Sequence, residues 1–291
     1  MATMSSTRDV PPDSSRAFTA ALERIGIYAA LAIVLFQTLY PLLWVLFGSL
    51  KTKSELINNV WGPPTSPVLD NYIQAWQMAE MGTRIVNSVT VTALSLAILI
   101  LVVTPCSYAL ARLRFPGRNI VTGLVVGSML VPPQVLAIPL FMVARDLGII
   151  NSTVGISFIY AASIMPLSIF IMRSFFMSLP FDLEDAARVD GAGRVAILVR
   201  IMLPLVRPGM ALIIIFGFIE VWNDFFLAFL LLRQPDVQTI PLGLVNFFQQ
   251  YDSLWNLYFA ALMITTLPVI LLFVLMQRQF IAGLTAGAVK A

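Results

Sequence analysis

Carboxylates are the side chains of this sequence whose spacing could support chemistry. The sequence contains no histidine and a single cysteine, Cys106. Disulfides, zinc-finger clusters, nucleophilic sites built on Cys/His or Ser/His/Asp, and histidine-ligated haem are therefore excluded within the chain. One group of acids lies in a charged segment, residues 182–190, and a second, Glu220 and Asp224, interrupts an apolar stretch. Little enzymatic chemistry remains, so we predict that the chain is not an enzyme and binds no metal or cofactor itself.

The composition places these acids in a membrane protein. Of the 291 residues, 59% are hydrophobic and 11% are charged, and the mean hydropathy is +0.88. Such values exclude a soluble protein. The formal net charge of +3 is too small, and the basic residues too dispersed, to form a nucleic-acid-binding stripe.

Six apolar stretches are long enough to cross the hydrocarbon core, which needs about 20 residues. Five of them carry no charge, and the other is interrupted only by Glu220 and Asp224. In chain order the stretches are 25–50, 85–111, 119–144, 147–172, 208–232 and 253–277. Prolines inside several of them predict kinked helices. The sequence therefore predicts an all-α membrane protein with six transmembrane helices.

The distribution of Lys and Arg predicts the orientation, because basic residues are retained on the cytoplasmic side. The two termini, the second loop and the fourth loop together hold 13 basic residues, whereas the first, third and fifth loops hold 5. Both termini belong to the richer set, so we predict that both are cytoplasmic and that the first span is an uncleaved anchor. The predicted segments are a mobile cytoplasmic N-terminus at 1–20, the first helix and outer loop at 21–84, a five-helix core at 85–277 and a cytoplasmic tail at 278–291.

The fourth loop, residues 173–207, carries the clearest local signals. Pro180, the following acids and Gly191 are typical of a short capped helix, and Glu184 lies four residues before Arg188. One face of this helix is predicted to present Leu183, Ala186, Ala187 and Asp190, with the alanines allowing close approach of a partner. A second amphipathic piece ends at Leu203-Pro204. From periodicity alone, a helix pair that only links two spans remains an equal alternative.

The spacing in this loop resembles a known motif. Asp185-Ala186-Ala187, three residues, Gly191, nine residues, Ile201, one residue and Leu203-Pro204 is similar to the EAA loop of binding-protein-dependent ABC importers. In that family the first position is usually Glu. Here Asp185 occupies this position, and Glu184 directly precedes it. The negative charge is therefore kept, but the carboxylate of Asp185 reaches less far than that of Glu.

Further segments narrow the resemblance to the shorter permease of maltose-type carbohydrate importers. They are Asn87-Ser88, Ala109-Leu110-Ala111-Arg112, Phe115-Pro116-Gly117, Trp222-Asn223 and the stretch from Gly283 to Lys290. The resemblance runs from about residue 51 to residue 291. It implies the type I ABC importer permease fold and a bacterial cytoplasmic (inner) membrane location.

The resemblance also implies partners and sites. A second homologous permease, a dimeric ATPase that binds ATP and Mg, and an extracytoplasmic solute-binding protein would complete the transporter. The residues expected to couple to the ATPase are Glu184, Asp185, Ala186, Ala187, Asp190, Gly191, Ile201, Leu203 and Pro204. The tail residues expected to contact it are Gly283, Leu284, Thr285, Ala286 and Gly287, the alternative being a frayed end. Because the sequence has no Gly-x-x-x-x-Gly-Lys-Ser/Thr loop, the energy must come from a partner.

The fifth span holds the predicted substrate path, Glu220, Trp222, Asn223 and Asp224. Two acids four residues apart share a helix face, and ionised acids avoid lipid, so they are expected to face protein or water. Carboxylate and amide groups could bind sugar hydroxyls. Trp222 points away from the acids, which makes Asn223 and Asp224 the stronger candidates. The alternative is that these residues only brace neighbouring helices or lie near the outer membrane surface.

Three rival functions are alternatives to a sugar permease. An ABC permease for another solute would share the loop, although the C-terminal segment disfavours it. An ion-coupled secondary transporter would usually show two related halves, and none is visible. A membrane-bound enzyme would need a catalytic cluster, and the sequence offers no acidic cluster in the spans besides Glu220 and Asp224.

Overall fold

A computed structural model describes residues 14–250 and 254–288, and all regular secondary structure in these residues is helical. The all-α prediction is therefore confirmed for the part of the chain that the structure covers. The α-helices are α1 (Ser14–Ser49), α2 (Lys53–Asn58), α3 (Asp70–Met78), α4 (Met81–Arg112), α5 (Arg118–Ser128), α6 (Ala137–Asp146), α7 (Thr153–Ser178), α8 (Asp182–Val189), α9 (Arg194–Ala196), α10 (Leu203–Leu205), α11 (Arg207–Asn223), α12 (Phe226–Leu231), α13 (Ile240–Gln250) and α14 (Trp255–Ala288).

Several helices are long and apolar enough to cross a membrane. Four of them qualify singly among the described residues: Glu23–Ser49 within α1, all of α4, all of α7, and Trp255–Leu275 within α14. A bent pair, Arg194–Leu205 and Arg207–Asn223, meets the same test only when the two helices are taken together, and the 76° angle between them fits a broken span or a re-entrant loop. The described residues therefore contain at least four helices suited to a multi-pass membrane protein, and the count of six spans stays a prediction.

The predicted third span, 119–144, is broken into α5 and α6. Turns replace the helix between residues 128 and 137, around Pro132 and Pro133. Proline has no N–H to donate within a helix, and it disfavours helical geometry in the residue before it. Two adjacent prolines therefore end α5 and delay α6.

The helix of the predicted fourth span, α7, begins at Thr153 instead of residue 147. The hydroxyl of Ser152 accepts a hydrogen bond of 3.0 Å from the Gly155 N–H and caps α7. The preceding residues form a turn in which Gly148 and Asn151 have positive φ. Near the N-terminus, residues 1–13 lie outside the described residues, and α1 begins at Ser14, inside the segment predicted to be mobile.

Polar contacts join several loops at the end of the long helices where α4 begins. At the end where α4 begins, Asn87 donates hydrogen bonds to the carbonyls of Asp236 (2.8 Å) and Gln238 (3.1 Å). The side chain of Asn151 accepts a hydrogen bond of 2.6 Å from the Arg233 N–H. These contacts agree with the predicted alternation, in which the first, third and fifth loops share one side.

Lys51 anchors the first of these loops from inside the protein. Its side chain is fully buried, and its ammonium group donates a hydrogen bond to the Asn59 carbonyl. Asn71 donates bonds of 2.8 Å to the carbonyls of Ser49 and Lys51. Asn256, near the start of α14, donates a bond of 3.0 Å to Asn71. This network fixes α3 against α14.

Candidate functional site

The helix α8 forms as its sequence signals predict. Three acids occupy its first turn, where the helix dipole favours negative charge. After the last turn, Gly191 has a left-handed φ of 79°. The Ala192 N–H donates to the Ala187 carbonyl (2.9 Å) and the Gly191 N–H to the Arg188 carbonyl (3.0 Å). This pair of bonds is the Schellman motif, which favours glycine because a left-handed backbone strains other residues.

Glu184 points into the protein instead of toward a partner. Its side chain is 1% exposed, and its Oε1 lies 3.2 Å from Nε of Arg112, whose side chain is 0% exposed. The Tyr108 hydroxyl donates a bond of 3.1 Å to Oε2, and Arg188 contributes a second ion pair of 3.1 Å to the same oxygen. Glu184 therefore fixes α8 to the last turns of α4.

Arg112 also holds the segment that leads into α8. Its guanidinium donates a hydrogen bond to the Leu179 carbonyl. The same group lies 4.2 Å from the centre of the Phe181 ring, a cation–π contact. The end of α4 and both sides of the α7–α8 connection thus share one charged group.

Asp185 has the opposite environment. Its side chain is 65% exposed and pairs with Arg188 at 2.6 Å. The exposed carboxylate of Asp185 keeps the charge of this motif position at the surface, whereas Glu184 is enclosed by Arg112 and Tyr108 and cannot substitute for it there. Asp185 is the acid that faces outward.

The predicted contact face of α8 is correct in part. Leu183, Ala186 and Asp190 are exposed, whereas Ala187 is buried. Ala187 lies three residues after Glu184, so both side chains project from the inward face of the helix. Val189 adds an apolar side chain that is 88% exposed.

The second amphipathic piece joins α8 to the membrane helix α11. It consists of α9, a π-helix at Ile197–Met202 and α10, and it is bent by 76° from α11. The Leu203 N–H donates to the Leu198 carbonyl five residues earlier, as in a π-helix. Ile201 and Leu203 pack against the hydrophobic core, while Pro204 is exposed. Ile201 and Leu203 therefore support the loop from within.

The predicted substrate-path residues do not form one face. Helix α11 ends at Asn223, and Asp224 has an extended backbone, so Glu220 and Asp224 are not on a common helix face as the sequence predicted. Asp224 Oδ1 accepts hydrogen bonds from the N–H groups of Leu227 (2.9 Å) and Ala228 (3.3 Å). An aspartate that caps a new helix competes with continuation of the old one, which explains the break.

Two of these residues remain accessible. Glu220 and Asn223 are exposed, and Asn223 donates a hydrogen bond of 2.9 Å to the Ile219 carbonyl. Trp222 is 3% exposed and stacks on Phe218 with ring centres 5.2 Å apart. Trp222 is buried in the core while Glu220 is exposed, which agrees with the expectation that Trp222 points away from the acids.

The C-terminal segment continues α14 to Ala288. The helix includes Gly283, Leu284, Thr285, Ala286 and Gly287, whose side chains lie outside the described residues. Their contact with an ATPase stays a prediction.

Sequence reasoning gave no role to two polar contacts at the opposite end of α4. The Ser88 hydroxyl accepts a bond of 2.9 Å from the Ile240 N–H, and Arg84 donates one of 3.0 Å to Gln238. Polar residues at the start of an apolar run were the available signal. Their partners are about 150 residues away in the chain and could not be identified from local patterns.

Comparison with known sequences identifies the family. Residues 103–285 match the model of the inner membrane component of binding-protein-dependent transport systems. The chain is 32% identical over 95% of its length to the diacetylchitobiose uptake permease NgcG of Streptomyces coelicolor, and it covers 91% of that protein. It is 34% identical to the sulfoquinovosyl glycerol permease SmoH of Agrobacterium fabrum, with 90% and 93% of the two chains covered. The melibiose/raffinose/stachyose permease MelC of Bacillus subtilis is also 34% identical, with coverage of 89% and 94%.

Comparison with solved structures supports the fold. A chain of a bacterial ABC transporter involved in alginate import superposes with a TM-score of 0.76, at 24% identity, over 96% of this chain and 100% of that chain. The match over residues 103–285, together with the long apolar helices, shows that the chain belongs to the family of inner membrane components of binding-protein-dependent transport systems.

Proposed function

We propose that this chain is the permease subunit of an ATP-driven importer for sugars or oligosaccharides. The observation that carries the proposal is the agreement among relatives that are 32–34% identical over 89–95% of the chain. Diacetylchitobiose, sulfoquinovosyl glycerol and the melibiose group share glycosidic bonds and many hydroxyl groups. A solute of this chemistry is therefore the best candidate.

The energy for transport is proposed to enter through α8. Its exposed surface combines the acid Asp185, the apolar Val189 and the small Ala186. Such a surface suits a groove on another protein that has basic and apolar side chains. The sequence has no phosphate-binding loop of its own. We propose a dimeric ATPase that binds ATP and Mg as this partner.

The complete transporter would contain further chains. We infer a second homologous permease, so that two sets of helices enclose the solute, and an extracytoplasmic protein that delivers it. The inference of a delivery protein is supported by the similar fold of an alginate ABC transporter solved with its periplasmic binding protein, with a TM-score of 0.65. The chain would have six spans of the type I importer fold in the bacterial cytoplasmic membrane, with both termini cytoplasmic.

Transport would then proceed by alternating access. The binding protein delivers sugar to the outer mouth, ATP closes the ATPase dimer, and α8 carries that movement into the membrane helices. Glu220 and Asn223 are the exposed polar candidates for contact with sugar hydroxyls. Asp224 would shape the path indirectly, because it holds the break between α11 and α12.

The test is uptake by proteoliposomes that contain this chain with its partner subunits. Radiolabelled diacetylchitobiose, melibiose and raffinose would be offered with an amino acid mixture as the control solute. We expect uptake of at least one sugar that requires ATP inside the vesicles, the ATPase and the binding protein together. Uptake driven by an ion gradient without ATP would identify a secondary transporter. ATP-dependent uptake of the amino acids alone would identify a permease for another solute.

A further inference from the structure

A buried ion pair joins α8 to α4 at the end of the molecule that we assign to the cytoplasm. Among the residues whose side chains the structure describes, Glu184 is the one buried carboxylate. Its two oxygens reach Arg112 at 3.2 Å and Tyr108 at 3.1 Å. Tyr108 and Arg112 are four residues apart, so they share a face of α4. Glu184 therefore contacts α4 at two points, one helical turn apart.

Separation of α8 from α4 would be unfavourable. Charges removed from water interact more strongly than charges at the surface. Loss of one member of a buried pair leaves the other charge without compensation, which is strongly destabilising. Because the Arg112 and Glu184 side chains are 0% and 1% exposed, a small separation would weaken the ion pair before water could solvate either charge. The two helix ends are thus expected to move together.

The contacts of α4 continue this connection into the membrane region. Ser107, one turn before the end of α4, donates a hydrogen bond of 3.3 Å to the Ile169 carbonyl of α7. Met172 and Phe176 of α7 belong to the same buried cluster as Tyr108 and Leu110 of α4. A displacement of the end of α4 would therefore reach α7 through packed groups.

We propose that Arg112 and Glu184 act together as positioning residues that transmit the movement of α8 to α4. The proposal rests on the function proposed above for α8. In this proposal the movement of α8 reaches the membrane helices by two routes. One is the ion pair with the end of α4, and the other is the covalent connection to α7 through Leu179 and Pro180. The exposed acid Asp185 docks the partner, and the buried acid Glu184 conveys the resulting displacement.

The first experiment uses the complete reconstituted complex and the variant Glu184→Gln. This change keeps the size of the side chain and removes its charge. We expect the sugar transported per ATP hydrolysed to fall at least about tenfold, within the usual range of coupling between sites. Asp182→Asn, the same chemical change at an exposed acid of α8, is the matched control and should leave this ratio unchanged.

A double-mutant cycle separates transmission from simple support of the fold. If the pair acts as a unit, Arg112→Gln with Glu184→Gln should lower the ratio no further than Glu184→Gln alone. Co-purification of the ATPase measures assembly in each variant. A Glu184→Gln complex that assembles and transports normally per ATP would overturn the proposal.

A second measurement does not depend on the survival of these variants. Spin labels at Arg114→Cys and Asp182→Cys, in a Cys106→Ser chain, would report the distance between the end of α4 and the start of α8. We expect this distance to stay within about 2 Å between nucleotide-free and ATP-bound complexes, whereas a change of about 5 Å or more, the size of a one-turn shift, would contradict the proposal. Absence of ATP-dependent uptake by the unmodified complex would instead count against the proposed function.

Discussion

The hydroxyl of Tyr160 on α7 donates a hydrogen bond of 2.7 Å to the carboxylate of Asp224, the residue that follows the end of α11. The same oxygen, Oδ1, caps α12 through two backbone N–H groups. Asp224 therefore connects three helices. This geometry favours the bracing alternative for Asp224 and leaves Asn223 as the better candidate for direct contact with a solute.

Substitution of Asp224 should affect stability before it affects sugar specificity. Asp224→Ala removes a helix cap, at a cost of about 1 kcal/mol, and also leaves the Tyr160 hydroxyl without its acceptor. We expect a lower thermal midpoint of the purified complex and a similar direction of change for Tyr160→Phe. The matched variant Asn223→Ala should keep the midpoint and reduce uptake. A normal midpoint for Asp224→Ala with loss of uptake would return Asp224 to the substrate path.

Gly191 should tolerate substitution according to backbone preference. A left-handed conformation costs most residues about 1–2 kcal/mol, and asparagine and aspartate adopt it more readily than valine. Among the described residues, no atom beyond the two chain neighbours lies within 4 Å of the position that a Cβ would occupy, so space does not limit the choice. We expect Gly191→Asn to retain uptake and Gly191→Val to lose it with the spans still inserted. Gly191→Asp keeps the backbone geometry and adds charge beside the docking surface, so we expect the ATPase no longer to co-purify with this variant. Normal uptake by both Gly191→Asp and Gly191→Val would contradict the coupling assignment.

Asp185 and Glu184 should not replace one another. Asp185→Ala removes an exposed charge, so we expect weaker co-purification of the ATPase with an unchanged thermal midpoint. Glu184→Ala leaves Arg112 buried without its partner and should lower the midpoint by an amount equivalent to about 3–5 kcal/mol. Equal midpoints for the two variants, measured by thermal unfolding in the same detergent, would argue against separate roles.

Truncation of the tail tests the C-terminal contact. Removal of residues 284–291 deletes the last part of α14 and the small residues that resemble the family tail. We expect reduced ATPase association or reduced uptake, because a helix rich in glycine gains little stability without a partner. Removal of residues 2–7 at the other terminus serves as the control. Unchanged association and uptake after the C-terminal deletion would indicate a frayed end.

Gly243 should be intolerant of a side chain at the end of the molecule assigned to the exterior. A methyl group there would overlap the guanidinium of Arg84, which is fixed by the Ala79 carbonyl at 2.7 Å and by Gln238 at 3.0 Å. Gly243→Ala should destabilise the complex by roughly 1–3 kcal/mol, as overpacking usually does. Gly123→Ala on α5 meets open space in this chain and is the control. Equal thermal midpoints for the two variants would show that Arg84 can move aside.

Local signals predicted the helices whose ends are defined by nearby residues. The acids, Gly191 and the spacing of the fourth loop correctly placed α8, because capping involves residues within one turn. The same reasoning missed the start of α7, where the apolar stretch extends through a turn that precedes the Ser152 cap. Hydropathy measures suitability for lipid and does not identify which apolar residues form a helix.

The site residues were predictable in type and less so in orientation. Glu184 and Asp185 are adjacent acids, and only the position of Arg112 on α4 decides which of them is enclosed. Asp224 was expected to continue a helix face, and its partner Tyr160 lies 64 residues earlier. Contacts of this range depend on how helices pack, which the sequence periodicity does not specify.

The burial of Lys51 simplifies chemical mapping of the protein in living cells. The sequence contains only three lysines, Lys51, Lys53 and Lys290. Lys51 is fully enclosed, whereas Lys53, two residues later, is exposed. An amine reagent that cannot cross the cytoplasmic membrane should therefore modify Lys53 alone in spheroplasts, and Lys290 and the terminal amine only after the membrane is opened. Three lysines thus provide a nearly background-free reporter of sidedness without any engineered tag.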